Sequence, residues 1–136
     1  MSFLLDTCVL SHGSKRDRDE GVEFWLRHTP DENKHVSVIS LGEIQFGIGC
    51  LPPGRKRSEL MAWYRQIVRP AMAGRVLPFD ESVAERWAEM RVRYRDASIL
   101  DCQIAATAFV HGFTIVTRNV KDFAFEGLAV FNPWRR

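Results

Sequence analysis

"FLLDTCVLS", residues 3–11, is an apolar run that stops on a carboxylate. Phe3, Leu4 and Leu5 are of the kind and number that fill a short buried strand. Asp6 then falls where the strand ends, and a helix can start near Thr7. On one reading Asp6 is a helix N-cap, accepting from the first free amides. On another it is a metal ligand at the end of a strand. The stretch alone fits both.

Four more runs of the same kind lie further along: "VSVI" at 36–39, "VLPF" at 76–79, "FTIV" at 113–116 and "LAVF" at 128–131. Each reads as a strand. Between them the period changes. Leu60, Trp63, Tyr64, Ile67 and Val68 recur at helical spacing, and Val83, Trp87, Met90 and Tyr94 form a second stripe with Asp80 as its N-cap. "LPPG" at 51–54 separates one helix from the next. Strands alternating with helices predict an α/β fold: one domain over residues 1–136, a mostly parallel β-sheet flanked by α-helices in an α/β/α sandwich. Such sheets hold ligands beyond the carboxyl ends of their strands, which makes the position of Asp6 matter.

At 136 residues, 46% hydrophobic and 26% charged, the composition is that of an ordinary globular domain. A net charge of +2 does not by itself argue for nucleic acid, although basic residues group at Arg55-Lys56-Arg57 and from Arg91 to Arg95. Cys8, Cys50 and Cys102 are odd in number and form no CxxC pair, which fits a reducing cytoplasm better than a disulfide framework. No apolar run approaches the ~18 residues of a spanning helix, and signal-peptide features are lacking. The expectation is a soluble cytoplasmic protein with no membrane association.

The remaining carboxylates also follow strands or open helices. Glu43 lies in "SVISLGEIQFGI", Asp101 opens "DCQIAATAF", and Asn119 and Asp122 lie in "TRNVKDF". Each has a structural explanation. Ser40 to Glu43 spells a capping box, Ser98 to Asp101 a weaker one, and Asp122 fits a turn. The helix faces argue otherwise. If 40–50 is helical, Glu43 shares its face with Phe46, Gly47 and Cys50; if 99–111 is helical, Asp101 shares its face with Ile104, Ala105 and Ala108. No Lys or Arg flanks either carboxylate on those faces. A carboxylate facing a core must be paired, protonated or metal-bound. Crowded acids raise one another's pKa unless a cation neutralises them. Oxygen ligands alone select a hard ion, Mg²⁺ or Mn²⁺, and such ions assist displacement at phosphorus. Read this way, the residues point to a metal-dependent phosphodiesterase.

The ordered pieces "LLDTCVLS", "SVISLGEIQFGI", "RVLPFDESVAERWAEMR", "DCQIAATAFVHGFTIVTRN" and "LAVFNPW" resemble the PIN-domain ribonucleases, specifically VapC-type toxins of type II toxin–antitoxin systems and the FitB-like subgroup. The resemblance spans nearly the whole chain. It implies a Mg²⁺-dependent endoribonuclease, with Mn²⁺ as substitute, that leaves 5′-phosphate and 3′-hydroxyl ends on its RNA substrate. Carried over by position, Asp6, Glu43 and Asp101 are the metal carboxylates, and Thr7 and Thr117 are polar neighbours. Asn119 falls on the fourth acidic station, with Asp122 three residues on. It further implies a homodimer and a cognate antitoxin that binds a helical groove and the acidic pocket, with DNA met only through that antitoxin. Cys8 stands where the family favours Asn, and the segment between Tyr94 and Asp101 is short. Cys8 and Asn119 favour an alternative: a catalytically weak PIN module acting mainly as antitoxin partner in a DNA-bound regulatory complex.

Two smaller constellations remain. Cys8 and His12 have i, i+4 metal spacing, but no second Cys/His pair accompanies them, so a zinc site is not expected. Phe24, Trp25 and Phe46 read as core for at least half of the set, the rest as part of a groove for a partner helix.

Overall fold

The computed structural model describes residues 1–135. Its five strands are β1 (Phe3–Leu5), β2 (Lys34–Ser37), β3 (Val76–Leu77), β4 (Thr114–Val116) and β5 (Val130–Phe131), ordered β3-β2-β1-β4-β5. Every pairing is parallel. β1 is central: Leu4 pairs with His35 on one side and Ile115 on the other. The chain runs outward from β1 through β2 to β3, then crosses back to β4. The order therefore reverses beside β1, and the crevice at the ends of β1 and β4 is where an open parallel sheet binds ligands.

Side-chain alternation divides the core between the two faces of the sheet. Leu4 and Ile115 point to one face, against α6 (Glu81–Arg93) and α7 (Ile99–His111). Leu5, Val36 and Val116 point to the other, packing with Val9 of α1 (Thr7–His12), Trp25 and Leu26 of α2 (Glu20–His28), and Met72 of α5 (Arg69–Met72). A third cluster joins α3 (Val38–Gly49) to α4 (Arg55–Trp63) and the helical residues that follow it. Both faces of the sheet are covered, which is why β1, β3 and β5 are wholly apolar, although β2 carries Lys34, His35 and Ser37.

Asp80 caps α6 by accepting from the Val83 amide, and Ser98 caps α7 by accepting from that of Asp101, both as the sequence predicts. α7 ends at Gly112, whose φ of 69° is the left-handed turn glycine takes without strain. Three expectations shift. The second strand is Lys34–Ser37, not 36–39, because Ser37 caps α3 through the Ile39 amide and draws Val38 and Ile39 into the helix. Ser40 is then a buried helix-interior residue, and no capping box joins it to Glu43. The stripe from Leu60 to Val68 loses Ile67, which is 60% exposed. Residues Tyr64–Val68 form a π-helical turn in which the Arg69 amide bonds to Tyr64 O, and the wider turn rotates Ile67 outward. Pro70 follows directly, and a widened turn before a proline relieves its clash with the preceding carbonyls. Third, only Trp25 of the three aromatic residues joins the core, edge-on to Phe3; Phe24 is 47% and Phe46 74% exposed.

The C-terminal segment closes over the first helices. Trp134 meets the buried His12 ring edge-on, and the Arg135 amide donates to Asp19 Oδ1, which also accepts from the Gly21 and Val22 amides at the start of α2. Gly21 is required there, because a Cβ would overlap the Pro133 carbonyl oxygen. No helix among the described residues is long and apolar enough to cross a membrane.

Candidate active site

Asp6 follows β1 and caps α1, its Oδ1 accepting from the Thr7 amide at 2.7 Å. The capping reading of the sequence is thus correct, and it concerns only one of the two carboxylate oxygens. Oδ2 accepts from the hydroxyl of Thr117, the residue after β4, at 2.7 Å. Thr117 is fully buried, and its Oγ1 accepts in turn from the Asn119 amide at 3.0 Å. The ends of the two central strands are tied together through Asp6.

The Thr7 hydroxyl donates to Glu43 Oε1 at 2.8 Å, joining α1 to α3. Glu43 therefore borders α1; the inward face of α3 is Ser40, Ile44 and Ile48. Phe46, Gly47 and Cys50, read from the sequence as its apolar companions, are exposed, because α3 packs through the face of Ser40, Ile44 and Ile48 and leaves theirs to solvent. Burial, followed by the charge of Asp6, raises the Glu43 pKa against the lowering effect of the Thr7 bond.

Asp101, in the first turn of α7, is half-buried beside Ile104, Ala105 and Ala108, all fully buried. Its pKa rises to about 6, first through burial and then through the charges of Asp6, Asp122 and Glu43. Among the described residues no ion pair reaches any of these four carboxylates. Asp101 and Asp122 line one cleft of about 260 Å³ with Ser98 and Lys121. Asp122 lies on the 3₁₀ turn Val120–Phe123, its amide bonded to Asn119 O. Asn119 contributes its backbone amide to Thr117, and its side chain is exposed.

Asp101 is thus within electrostatic reach of Asp6, Glu43 and Asp122, and Glu43 within reach of Asp6, with Thr117 orienting Asp6 and Thr7 orienting both Asp6 and Glu43. Among the described residues no three His, Cys, Asp or Glu side chains close on a single point as an ion's ligands. The chemistry of the donors nonetheless fits a hard divalent cation: all are oxygen, their charges raise the pKa of Asp101, and no ion pair among the described residues neutralises them.

Cys8 lies at the edge of the cluster, its Sγ 3.5 Å from Asp6 Oδ2 and 3.6 Å from Thr117 Oγ1. Burial and the Asp6 charge push its thiol pKa up, so it is a neutral, weak donor to Asp6. His12 points away, its Nε2 accepting from the Asp19 amide. Sequence reasoning missed the basic side chains beside the cluster. Lys15, Arg18 and Arg118 line a cleft of about 270 Å³ that shares Cys8 with the acidic group. Arg118 lies about a hundred residues from Lys15 and Arg18, too far for any motif to join it to them.

The chain matches the PIN-domain family model over residues 3–125. It is 37% identical to the toxin FitB of Neisseria gonorrhoeae, covering 97% of this chain and 98% of that one. It is 35% identical to the VapC ribonuclease Y4jK of Sinorhizobium fredii, covering 97% of each. Its fold superposes with a TM-score of 0.89 on a chain in the structure of FitAB bound to an IR36 DNA fragment, at 36% identity, over 98% of this chain and 96% of that one.

Proposed function

The chain belongs to the PIN-domain family, and from that premise we propose that it is the toxin of a type II toxin–antitoxin pair, cutting RNA as a Mg²⁺- or Mn²⁺-dependent endoribonuclease. The toxin role is supported by relatives named as a FitB toxin and a VapC ribonuclease along nearly their whole length. The observation that carries the chemistry is Asp101: a carboxyl raised to about 6 by burial and three other carboxylates, and joined to no cation by an ion pair among the described residues.

Asp6, Glu43 and Asp101 would hold the divalent ion, and Asp122 would add negative charge at the rim. When bound, such an ion polarises a phosphate oxygen and acidifies water, the two contributions hydrolysis of a phosphodiester needs. The chain's own residues position these groups. The Thr7 amide and the Thr117 hydroxyl each fix one oxygen of Asp6, so its carboxylate cannot rotate freely. The Thr7 hydroxyl holds Glu43 toward Asp6. Without the ion, burial and the neighbouring charges raise Asp101 to about 6, so binding a cation would relieve the repulsion that holds it there. Asn119 orders the strand end through its amide and adds no charge.

The test is cleavage of a defined RNA by the purified chain with Mn²⁺ and with EDTA, mapping the new ends. Metal-dependent cuts leaving 5′-phosphates are expected, and their loss in Asp101→Asn. Equal cutting in EDTA sinks the proposal. A second reading has its own support: FitAB, whose structure resembles this chain, is bound to DNA. On that reading the chain is a catalytically weak module in a DNA-bound regulatory complex with its antitoxin, and the neutral Asn119 and Cys8 weaken its site. No cleavage at any Mn²⁺ concentration, with binding to the antitoxin intact, would favour it.

A further inference from the structure

A polyanion faces a difficulty at this site: the carboxylates that would gather a metal ion repel its phosphates. The cations that offset the repulsion must lie close by, and the structure holds such a set on one side. The cleft of about 270 Å³ next to Asp6 is lined by Lys15, Arg18 and Arg118. It meets the acidic cluster at Cys8, which lines the cleft and lies 3.5 Å from Asp6 Oδ2. Arg118 directly follows Thr117, the residue that holds Asp6.

The cations differ in their commitments. Arg18 is fixed in place: its guanidinium donates to the carbonyls of Lys15 and Gly13 and meets Glu23 at 3.5 Å. Lys15 and Arg118 are exposed and bonded to no carboxylate among the described residues. The Arg118 guanidinium lies 5.8 Å from the ring centroid of Trp134, which lines the same cleft. Of the two acids there, Asp19 is committed to the α2 amides and to Arg135, while Asp17 is exposed. The cleft thus offers two free cations and an aromatic face, the combination that holds a single strand by its phosphates and stacks a base.

We infer that this cleft is a phosphate-binding subsite for the single-stranded RNA flanking the bond to be cut, with Lys15 and Arg118 contacting backbone phosphates and Trp134 offering a stacking surface. The assignment rests on the nuclease reading for its orientation, and it is testable without cleavage. Binding of a short fluorescein-labelled single-stranded RNA to the full chain is measured by anisotropy in EDTA over a range of salt concentrations. The variants are Lys15→Gln/Arg118→Gln and, as a control at a different basic cleft, Arg57→Gln/Arg65→Gln. All four positions carry flexible polar side chains, so thermal melts should match the wild type.

The Lys15/Arg118 variant is expected to bind on the order of tenfold more weakly, with a salt slope shallower by about 1.4, or about 0.7 for each phosphate no longer neutralised. The control should keep the wild-type slope. A wild-type slope in the Lys15/Arg118 variant overturns the assignment and leaves the cleft to the acidic groups of a protein partner. An equal loss in the control also overturns it, because the cleft would then be no more than general surface charge. If the slope changes as expected but the wild type cuts no RNA with Mn²⁺, the subsite stands and the nuclease reading falls.

Discussion

Thr117 Oγ1 donates to Asp6 Oδ2 at 2.7 Å across 111 residues of sequence, and the same oxygen accepts from the Asn119 amide. One hydroxyl thus connects the carboxylate at the end of β1 to the turn after β4. Thr117→Val keeps the shape and removes both bonds, leaving the part-buried Asn119 amide without its acceptor and Asp6 Oδ2 without its hydroxyl donor. A loss of about 1–2 kcal/mol in chemical denaturation is expected, with cleavage reduced further because Asp6 can rotate. Thr117→Ser should restore both. A valine variant as stable and active as the wild type would show that the hydroxyl orients nothing.

Asp101 carries a pH signature of its own. Its pKa rises from 3.8 to about 6 on folding. Between those values the folded chain binds more protons than the unfolded one, so stability falls as pH rises through that window and stays lowered above it. In metal-free buffer at pH 7.5, Asp101→Asn should therefore be more stable by about 1 kcal/mol after discounting for solvent access, roughly 3 °C in Tm. At pH 4 the two proteins should converge. Calorimetric scans at both values check this, and an Asn variant that melts lower at pH 7.5 contradicts it.

Protons and a divalent ion compete for the same oxygens. Mn²⁺ should raise the Tm of the wild type more at pH 7.5, where Asp101 is ionised, than at pH 5, where it is largely protonated. The increment should disappear in Asp6→Asn. The same increment at both pH values would remove Asp101 from the proposed ligand set.

Asp122 acts on Asp101 through charge, ranking behind Asp6, whereas Asn119 does not. In metal-free protein, NMR titration of the Asp101 side chain should give a lower pKa in Asp122→Asn and a lower one still in Asp6→Asn. Asn119→Ala should leave it unchanged. If Asn119→Ala moves it and Asp122→Asn does not, the fourth acidic position belongs to residue 119.

Gly21 tests the C-terminal clasp. A Cβ there would overlap the Pro133 carbonyl and lie 3.0 Å from the Arg135 amide. Gly21→Ala should cost about 1–3 kcal/mol, as overpacking does, and should shift Trp134 fluorescence toward that of a solvated indole. Unchanged stability and emission would mean that the segment adjusts freely.

Much of this was readable in the residues, for identifiable reasons. "FLL" ending on Asp6, and Asp80 and Ser98 ahead of helical stripes, are local signals that tertiary packing reinforces. "VSVI" misled because Val38 and Ile39 are β-branched and favour strands, yet a serine at 37 caps a helix as well as one at 40. Lys34 hid the true strand: a lysine reads as exposed, yet its buried ammonium is satisfied by the Leu26 carbonyl and by Asp31 three residues before it. Ile67 kept its helical spacing while the helix changed pitch beneath it. The cation cleft was invisible, since Arg118 reaches Lys15 only through the order of the sheet.

That order also governs when the site comes into being during synthesis. β1 is made first, but its second neighbour, β4, comes more than a hundred residues later. A nascent chain displays Asp6 and Glu43 early, yet it lacks Thr117 until nearly the whole domain has been translated, about 6–20 s afterwards at ordinary elongation rates. Until β4 is made, β1 has only β2 to pair with, and Asp6 Oδ2 gains its Thr117 partner only at the end of that interval. A ribosome making this chain is exposed to an incomplete site for almost the whole of its passage.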